Sequence, residues 1–344
     1  MLPYAMRENL GPRLLEYLRM ELQCPHVDFA EPLVPLSGGF DTEIFAFHLN
    51  GAVPALSGPL VLRVLAPYHD PLRALRERAT QNAVADMGFP APRAPLASAD
   101  PEILGGAFLV MERRPGRPLL AARRLGIAAL LVETHLRLHA LDPSTVLAAL
   151  DRAVPGSSAL VSLDAHLGQL EARISRNLPG LAPAMRWLFD HRTGQSGARA
   201  ICHGDFHPQN LLFDGREITA VLDWPNVLVA DPAYDVAATR VILELAPMSV
   251  LPVSRTARWA MAAGRRLLVA LYLRGYRGRR PLAARGLAYY EALACMRGLV
   301  RAAEHRVGAR DAANPLDASS FGDRLAARFA KLTGIRPGLG ATNG

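Results

Sequence analysis

Residues 201–224, ICHGDFHPQNLLFDGREITAVLDW, hold a set of side chains that could do chemistry together. His203, Asp205 and Asn210 fall in the spacing His-x-Asp-x-x-x-x-Asn, and Asp223 lies near the end of the stretch. A carboxylate can orient a hydroxyl and take its proton, and carboxylate and amide oxygens are the hard ligands that magnesium prefers. Phosphoryl transfer from a nucleotide has those two needs, an aligned nucleophile and neutralised phosphate charge. Taken singly, each of these residues reads as an ordinary turn or strand-end residue. Together, with the strands that flank them, they point to chemistry.

Such residues need a loop followed by a hairpin to gather them, and the pattern supplies one. Strand-like pieces fill 199–224, with Asp214-Gly215 as the turn. Upstream, EPLVPL (31–36) and EIFAFHL (43–49) read as strands, Phe45, Phe47 and Leu49 alternating at period two. LVLRVL (60–65) is apolar except for Arg63. A helix starts at Asp70-Pro71 and stops at Gly88; Leu72, Leu75, Ala79, Ala83 and Met87 share a face with Glu77 at its margin. FPAPRAP (89–95) is a stiff connector, and DPEILGG reads as a hairpin turn into the strand AFLVMER (107–113), which Pro115-Gly116 ends. Residues 1–30 read as an amphipathic helix and a turn at Cys24-Pro25. Beyond 118 the pattern is mostly helical, with one helix over roughly 121–141, more from about 233 to 333, and a loose last ten residues. Asp231-Pro232 is a helix N-cap followed by a first-turn proline, His203 a structural loop residue, His207 a loop residue and Asp235 a brace for the loop.

The segment 201–224 resembles the catalytic and metal-binding segments of the aminoglycoside phosphotransferase family, relatives of choline, homoserine and fructosamine kinases. LDW at 222–224 stands where protein kinases have Asp-Phe-Gly, and DPAYD (231–235) matches the family's Asp-Pro-x-x-Asp. The resemblance implies Asp205 as the base and Asn210 and Asp223 as magnesium ligands. It extends upstream, where Ser37, Gly38, Gly39 and Thr42 resemble the glycine-containing nucleotide loop. Arg63 takes the place of the phosphate-binding lysine, Glu77 that of its helix partner, and Met111, Glu112 and Arg113 that of the hinge whose backbone meets adenine. LHALDP (138–143) resembles a further family element. The matched stretches run from about 35 to 236.

The implied fold is α+β and two-lobed like a protein kinase. An N-terminal lobe (1–113) with an antiparallel sheet and one main helix leads through a hinge end (114–118) to a larger, mostly helical lobe (119–344), with ATP or GTP and magnesium between them. Two departures bear on this. Lys331 is the only lysine, so none can stand in for Arg63, whose guanidinium binds phosphate as a fork rather than as a point charge. After Asp223 there is no Ala-Pro-Glu segment and no long activation loop, which argues for a small acceptor rather than a protein.

The bulk properties agree. The 344 residues carry net charge +8, and half of them are hydrophobic, a globular composition long enough for two lobes. Of 39 basic residues 38 are arginine, a chain-wide bias rather than a nucleic-acid surface, and no nucleic-acid partner is expected. Three isolated cysteines, no signal segment and no apolar run near ~20 residues point to a reducing, cytoplasmic setting without a membrane span. Residues 237–344 hold 18 Lys/Arg against 6 Asp/Glu, and the run 264–280 reads as a helix with a solvated basic face. A basic half repels polycationic aminoglycosides, so the expected substrate is a small neutral or anionic hydroxyl compound. Two other readings stay open: an inactive nucleotide-binding scaffold on the same fold, which Arg63 keeps alive, and a nucleic-acid or membrane-surface binder using the basic half.

Overall fold

The computed structural model describes residues 9–36, 42–122, 126–192, 199–246, 254–306 and 319–339. In chain order the main elements are α1 (Leu10–Glu21), β1 (Asp28–Pro35), β2 (Thr42–Asn50), β3 (Leu60–Leu65), α2 (Leu72–Asp86), β4 (Leu96–Ser98), α3 (Pro101–Leu104), β5 (Phe108–Glu112) and β6 (Arg117–Pro118). There follow α4 (Ile127–His139), α5 (Pro143–Ala153), α6 (Ser157–Leu160), α7 (Leu163–Asn177), α8 (Ala182–Asp190), β7 (Ala200–Cys202), β8 (Leu211–Phe213), β9 (Ile218–Val221) and β10 (Leu228–Ala230). Four helices complete the chain: α9 (Pro232–Leu245), α10 (Arg255–Arg279), α11 (Ala284–Arg306) and α12 (Ser319–Thr333). No helix among the described residues is long and apolar enough to cross a membrane.

The chain divides into two compact units. The first takes residues 1–118 and also 144–158 and 211–225, two segments that lie beyond the expected lobe boundary. Its sheet is antiparallel in the order β1-β2-β3-β5-β4. Period two splits β3: Leu60, Leu62 and Val64 join Phe47, Leu49, Phe108, Val110 and the α1 residues Leu10, Leu14 and Leu18 in one core. Each such leucine, fully buried, contributes about 1.5–3 kcal/mol. Arg63 and Leu65 alternate to the other face, where Leu65 packs with Ala74 of α2 and Ala107. Asp70 accepts the amide of Leu72 at 3.0 Å, as an N-terminal cap should.

The α2 face differs from expectation. Leu72 is 40 % exposed, and the buried positions are Ala74, Glu77, Thr80, Gln81, Ala83 and Val84. Glu77 therefore stands at the centre of the buried face, not its margin. Nor is DPEILGG a simple hairpin turn. Asp100 caps α3 through the amide of Glu102, and this short helix joins β4 to β5. The expected Asp214 turn is present: its carboxylate accepts the amides of Arg216 and Glu217, and β8 pairs with β9.

The second unit holds residues 119–143, 159–210 and 226–344. Asp231 caps α9 through the amide of Ala233, with Pro232 in the first turn. One turn on, Asp235 is fully buried. Its Oδ2 faces Nε2 of His135 at 3.0 Å and of His139 at 3.3 Å, both on α4. Each imidazole Nδ1 meets a tyrosine hydroxyl of α10, Tyr272 at 2.7 Å and Tyr276 at 2.6 Å. Because 135 pairs with 272 and 139 with 276, α4 and α10 run in the same direction here. Gly275 permits the approach, since a Cβ there would sit 3.1 Å from the Val132 side chain. The last described residues are packed rather than loose: the Gly338 amide donates to Gly180 at 3.0 Å, and Leu339 is buried.

Burial, then His135, push His139 down to about 4 against the pull of Asp235. Burial, then Arg297 and Arg173, push His166 on α7 down to about 3. In the unfolded chain both titrate near 6.5, so between that value and their folded values the unfolded state binds more protons. Stability should be fully present above pH 6.5 and fall by about 1.4 kcal/mol per pH unit per histidine as pH drops towards 4. Urea midpoints measured from pH 7.5 to 4.5 check this, and a flat profile would contradict it.

Candidate functional site

The loop after β7 is fixed by its backbone. Amides of His203 and Gly204 donate to Asp235 at 2.6 and 2.8 Å, the bracing expected of that residue. Gly204 has φ +77°, and a Cβ on it would lie 2.5 Å from the carbonyl of Asn226, so only glycine fits. His203 turns its Nδ1 to the Asp205 amide at 3.3 Å, a structural role. Asn210 Nδ2 donates to both the carbonyl (3.0 Å) and the carboxylate (3.2 Å) of Asp205. His207 Nε2 stands 3.4 Å from the other carboxylate oxygen. Burial raises the Asp205 pKa, but His207, His203 and Arg297 together override it and hold the group well below the usual carboxylate range. The side chain keeps 30 % of its surface exposed, so an ionised carboxylate is available to a ligand.

Among the described residues, His135, His139 and Asp235 are close enough to share a metal ion, a cluster that sequence reading did not find. Both carboxylate oxygens and all four imidazole nitrogens already have partners within the unit. Hydrogen bonding alone closes the cluster, which serves as a brace. Its signal was two pairs at helical spacing, His135/His139 and Tyr272/Tyr276.

In the first unit the residues expected to meet the nucleotide fall into three groups. Ser37, Gly38 and Gly39 lie outside the described residues; Thr42 opens β2 opposite Leu65. Arg63 forks between two carboxylates, Nη1 to Glu77 Oε1 at 2.5 Å and Nη2 to Asp223 Oδ1 at 2.8 Å. Burial raises the Glu77 pKa, Arg63 opposes that, and Asp223 adds to it. Met111 accepts a long contact from Gln81 Nε2 to its sulfur at 3.8 Å. The amides of Glu112 and Arg113 donate to the carbonyls of Arg93 and Pro59, both at 2.8 Å. The expectation that the backbone of 111–113 receives adenine must therefore rest on groups other than those two amides.

Asp223 follows β9 in a left-handed conformation, φ +70°. Trp224 locks the bend: it is fully buried, its indole donates to the Val221 carbonyl at 2.8 Å, and Phe89 meets it edge-on at 5.8 Å. A non-glycine residue held there is strained by roughly 1–2 kcal/mol, a cost that functional positions tend to retain. Sequence reading placed Asp223 but had no signal for its backbone.

The arginine-rich helix α10 departs from a simple solvated basic face. Its solvent side is also apolar, with Trp259 76 %, Leu267 60 % and Leu271 48 % exposed. Arg265 turns back to the carbonyls of Glu244 and Ala246.

Two substitutions follow from the Arg63 fork. Arg63→Ala strands buried Glu77 and should cost about 3–5 kcal/mol, much of it recovered by adding Glu77→Gln; denaturant titration of the single and double variants decides it. Asp223→Gly and Asp223→Ala both lose the ion pair, but glycine relieves the backbone and should leave the protein about 1 kcal/mol more stable than alanine does. Equal melting of those two would remove the argument from strain.

A model of the phosphotransferase enzyme family matches residues 32–284, well over half of the chain. Acyl-CoA dehydrogenase family member 11 of Rattus norvegicus is 30 % identical over 173 residues, and its Homo sapiens counterpart 28 % over 172. Each alignment covers 47 % of this chain and only 22 % of the relative, about a fifth of those longer proteins. Among solved structures, a putative aminoglycoside phosphotransferase from Ralstonia eutropha JMP134 superposes with TM-score 0.61 at 20 % identity, covering 94 % of this chain and 98 % of that one. A thermostable mutant of aminoglycoside phosphotransferase APH(4)-Ia, in ternary complex with AMP-PNP and hygromycin B, gives 0.58 at 19 %, covering 95 % and 100 %. These likenesses show a kinase-like fold, with an N-terminal antiparallel sheet and a mostly helical remainder. With the family model spanning nearly all of the sheet, the Asp205 loop and all of α10, the chain belongs to the phosphotransferase enzyme family.

Proposed function

We propose that this protein transfers the γ-phosphate of ATP or GTP to a hydroxyl of a small neutral or anionic compound. Asp205 is the base, Asn210 and Asp223 are the magnesium ligands, and Arg63, seated on Glu77, meets the nucleotide phosphates. The observation that carries this reading is the Asp205–Asn210 pair: an ionised, part-exposed carboxylate held by an amide side chain in a loop whose backbone is clamped by Asp235.

The donor atoms suit magnesium, which favours hard oxygens. Asn210 spends its amide nitrogen on Asp205, which leaves its carbonyl oxygen as the ligand atom. Asp223 pairs one oxygen with Arg63 and keeps the other for a cation. Bound magnesium would neutralise phosphate charge. Asp205 accepts the acceptor's O–H proton as that oxygen bonds to the γ-phosphorus, and the bond to the β–γ bridging oxygen breaks with its electron pair leaving on the nucleoside diphosphate. Positioning and charge supply most of the acceleration. The AMP-PNP held by one structural neighbour supports nucleotide use. Hygromycin B in that complex is an aminoglycoside. The excess of arginine over acid in residues 237–344 argues against such a cation here.

One feature favours a second reading, an inactive nucleotide-binding scaffold. Arg63 already pairs with Asp223, and a cation must compete with that guanidinium. Nucleotide consumption over a panel of neutral and acidic alcohols separates the two. Asp205→Asn should lower turnover by about 10²–10⁴-fold while leaving nucleotide affinity nearly intact. Wild-type turnover in that variant would remove Asp205 as base; turnover of kanamycin-like compounds alone would refute the acceptor class.

A further inference from the structure

Arg297 on α11 is a cation beside the proposed base. Its Nη1 donates to the Gly204 carbonyl at 2.9 Å and to the Tyr234 hydroxyl at 2.7 Å. The guanidinium carbon lies 5.7 Å from the Tyr234 ring centroid. Gly204 immediately precedes Asp205, so a permanent positive charge stands one residue from that carboxylate.

Several arginines of this unit are matched by acids, while Arg265 and Arg280 turn to backbone carbonyls. Arg173 makes two bonds to Glu304 at 2.7 and 2.6 Å, Arg240 pairs with Glu244 and Glu291, and Arg328 with Glu291. Arg297 has no carboxylate partner among the described residues, and its Nε and Nη2 carry no hydrogen bond there. It is also only half-buried, so those donors are open to a ligand. A second observation lies next to it. The Nε2 of His166 is buried without a hydrogen-bond partner among the described residues, and its ring meets Tyr234 edge-on at 6.1 Å. A buried polar atom left without a partner is costly, and a ligand that supplies one removes that cost.

We propose that Arg297, with His166 beside it, receives an anionic group of the acceptor, a carboxylate or a phosphate, and so brings the acceptor's hydroxyl to Asp205. The inference rests on Asp205 being the base and narrows the acceptor from neutral or anionic to anionic. The guanidinium edge left over by Gly204 and Tyr234 offers a donor pair of the kind that carboxylates and phosphates bind. A cationic acceptor meets repulsion instead.

The test compares matched hydroxyl compounds: 3-hydroxybutyrate with its methyl ester, and glycerol phosphate with glycerol. Diphosphate-nucleotide release is read for wild type, Arg297→Gln, Arg297→Lys and the Asp205→Asn blank. Wild type should favour the anionic member of a pair by about tenfold or more in kcat/KM. Arg297→Gln should bring that ratio close to one, mainly through KM, with the KM for ATP unchanged; Arg297→Lys should keep part of the preference. The carboxylate pair and the phosphate pair tell the two anion types apart. Three outcomes overturn the proposal. They are no charge preference in wild type, an equal loss on both members of every pair in Arg297→Gln (a loop brace and nothing more), and a loss carried by the KM for ATP. Binding of 3-hydroxybutyrate and of inorganic phosphate, followed by calorimetry, is read separately. If no compound is turned over above the blank yet anion binding depends on Arg297, the anion site stands and the base assignment falls; if neither is seen, the inference falls.

Discussion

The buried carboxylate of Asp235 is the constraint on which the second unit is organised. A charge in the interior is tolerated only when hydrogen bonds replace its water. Asp235 gets these from the amides of His203 and Gly204 and from two imidazoles, with no arginine or lysine against it among the described residues. Those amides belong to the loop that carries Asp205. The loop cannot shift without leaving the carboxylate short of donors, and the imidazoles cannot turn without releasing Tyr272 and Tyr276. Three helices and one loop are thus tied to a single pair of oxygens. Gly204 completes the arrangement, because a side chain there would collide with the Asn226 carbonyl.

The first unit solves a similar problem by the opposite means. Glu77 lies at the centre of the buried face of α2, and its charge is matched by a permanent cation rather than by amides. Arg63 can do this and reach Asp223 at once because a guanidinium has two prongs; an ammonium would present one point of charge. Asp223 is delivered to the second prong by a left-handed bend that Trp224 pins down. A lysine at position 63 would therefore change the geometry of the pair as well as its chemistry.

Sequence reading succeeded where the information was local. The Asp231-Pro232 cap, the Asp214 turn, the strands around Arg63 and the brace at Asp235 all depend on neighbours within a few residues or on a motif of fixed spacing. It failed where distant residues set the environment. An amphipathic pattern sorts faces by apolar content, so a buried face built on Glu77, Thr80 and Gln81 was placed too far round the helix, with only Ala83 common to both. The histidine–tyrosine pairs are 137 positions apart, and nothing in either helix alone announces the other. The amides of Glu112 and Arg113 have partners at Arg93 and Pro59 that only the folded sheet supplies. Arg297 was hidden among 38 arginines, and only its contacts to the Gly204 carbonyl and the Tyr234 hydroxyl in the folded unit set it beside the Asp205 loop.

The scarcity of lysine reaches beyond the fold. Reagents that find nucleotide pockets across a proteome commonly acylate the amine that sits on the phosphates. On the proposed reading that position is the Arg63 guanidinium, and the only side-chain amine in the chain is on Lys331 of α12. Amine-directed reagents would find no target at Arg63, whereas dicarbonyl reagents, which condense with guanidinium groups, would.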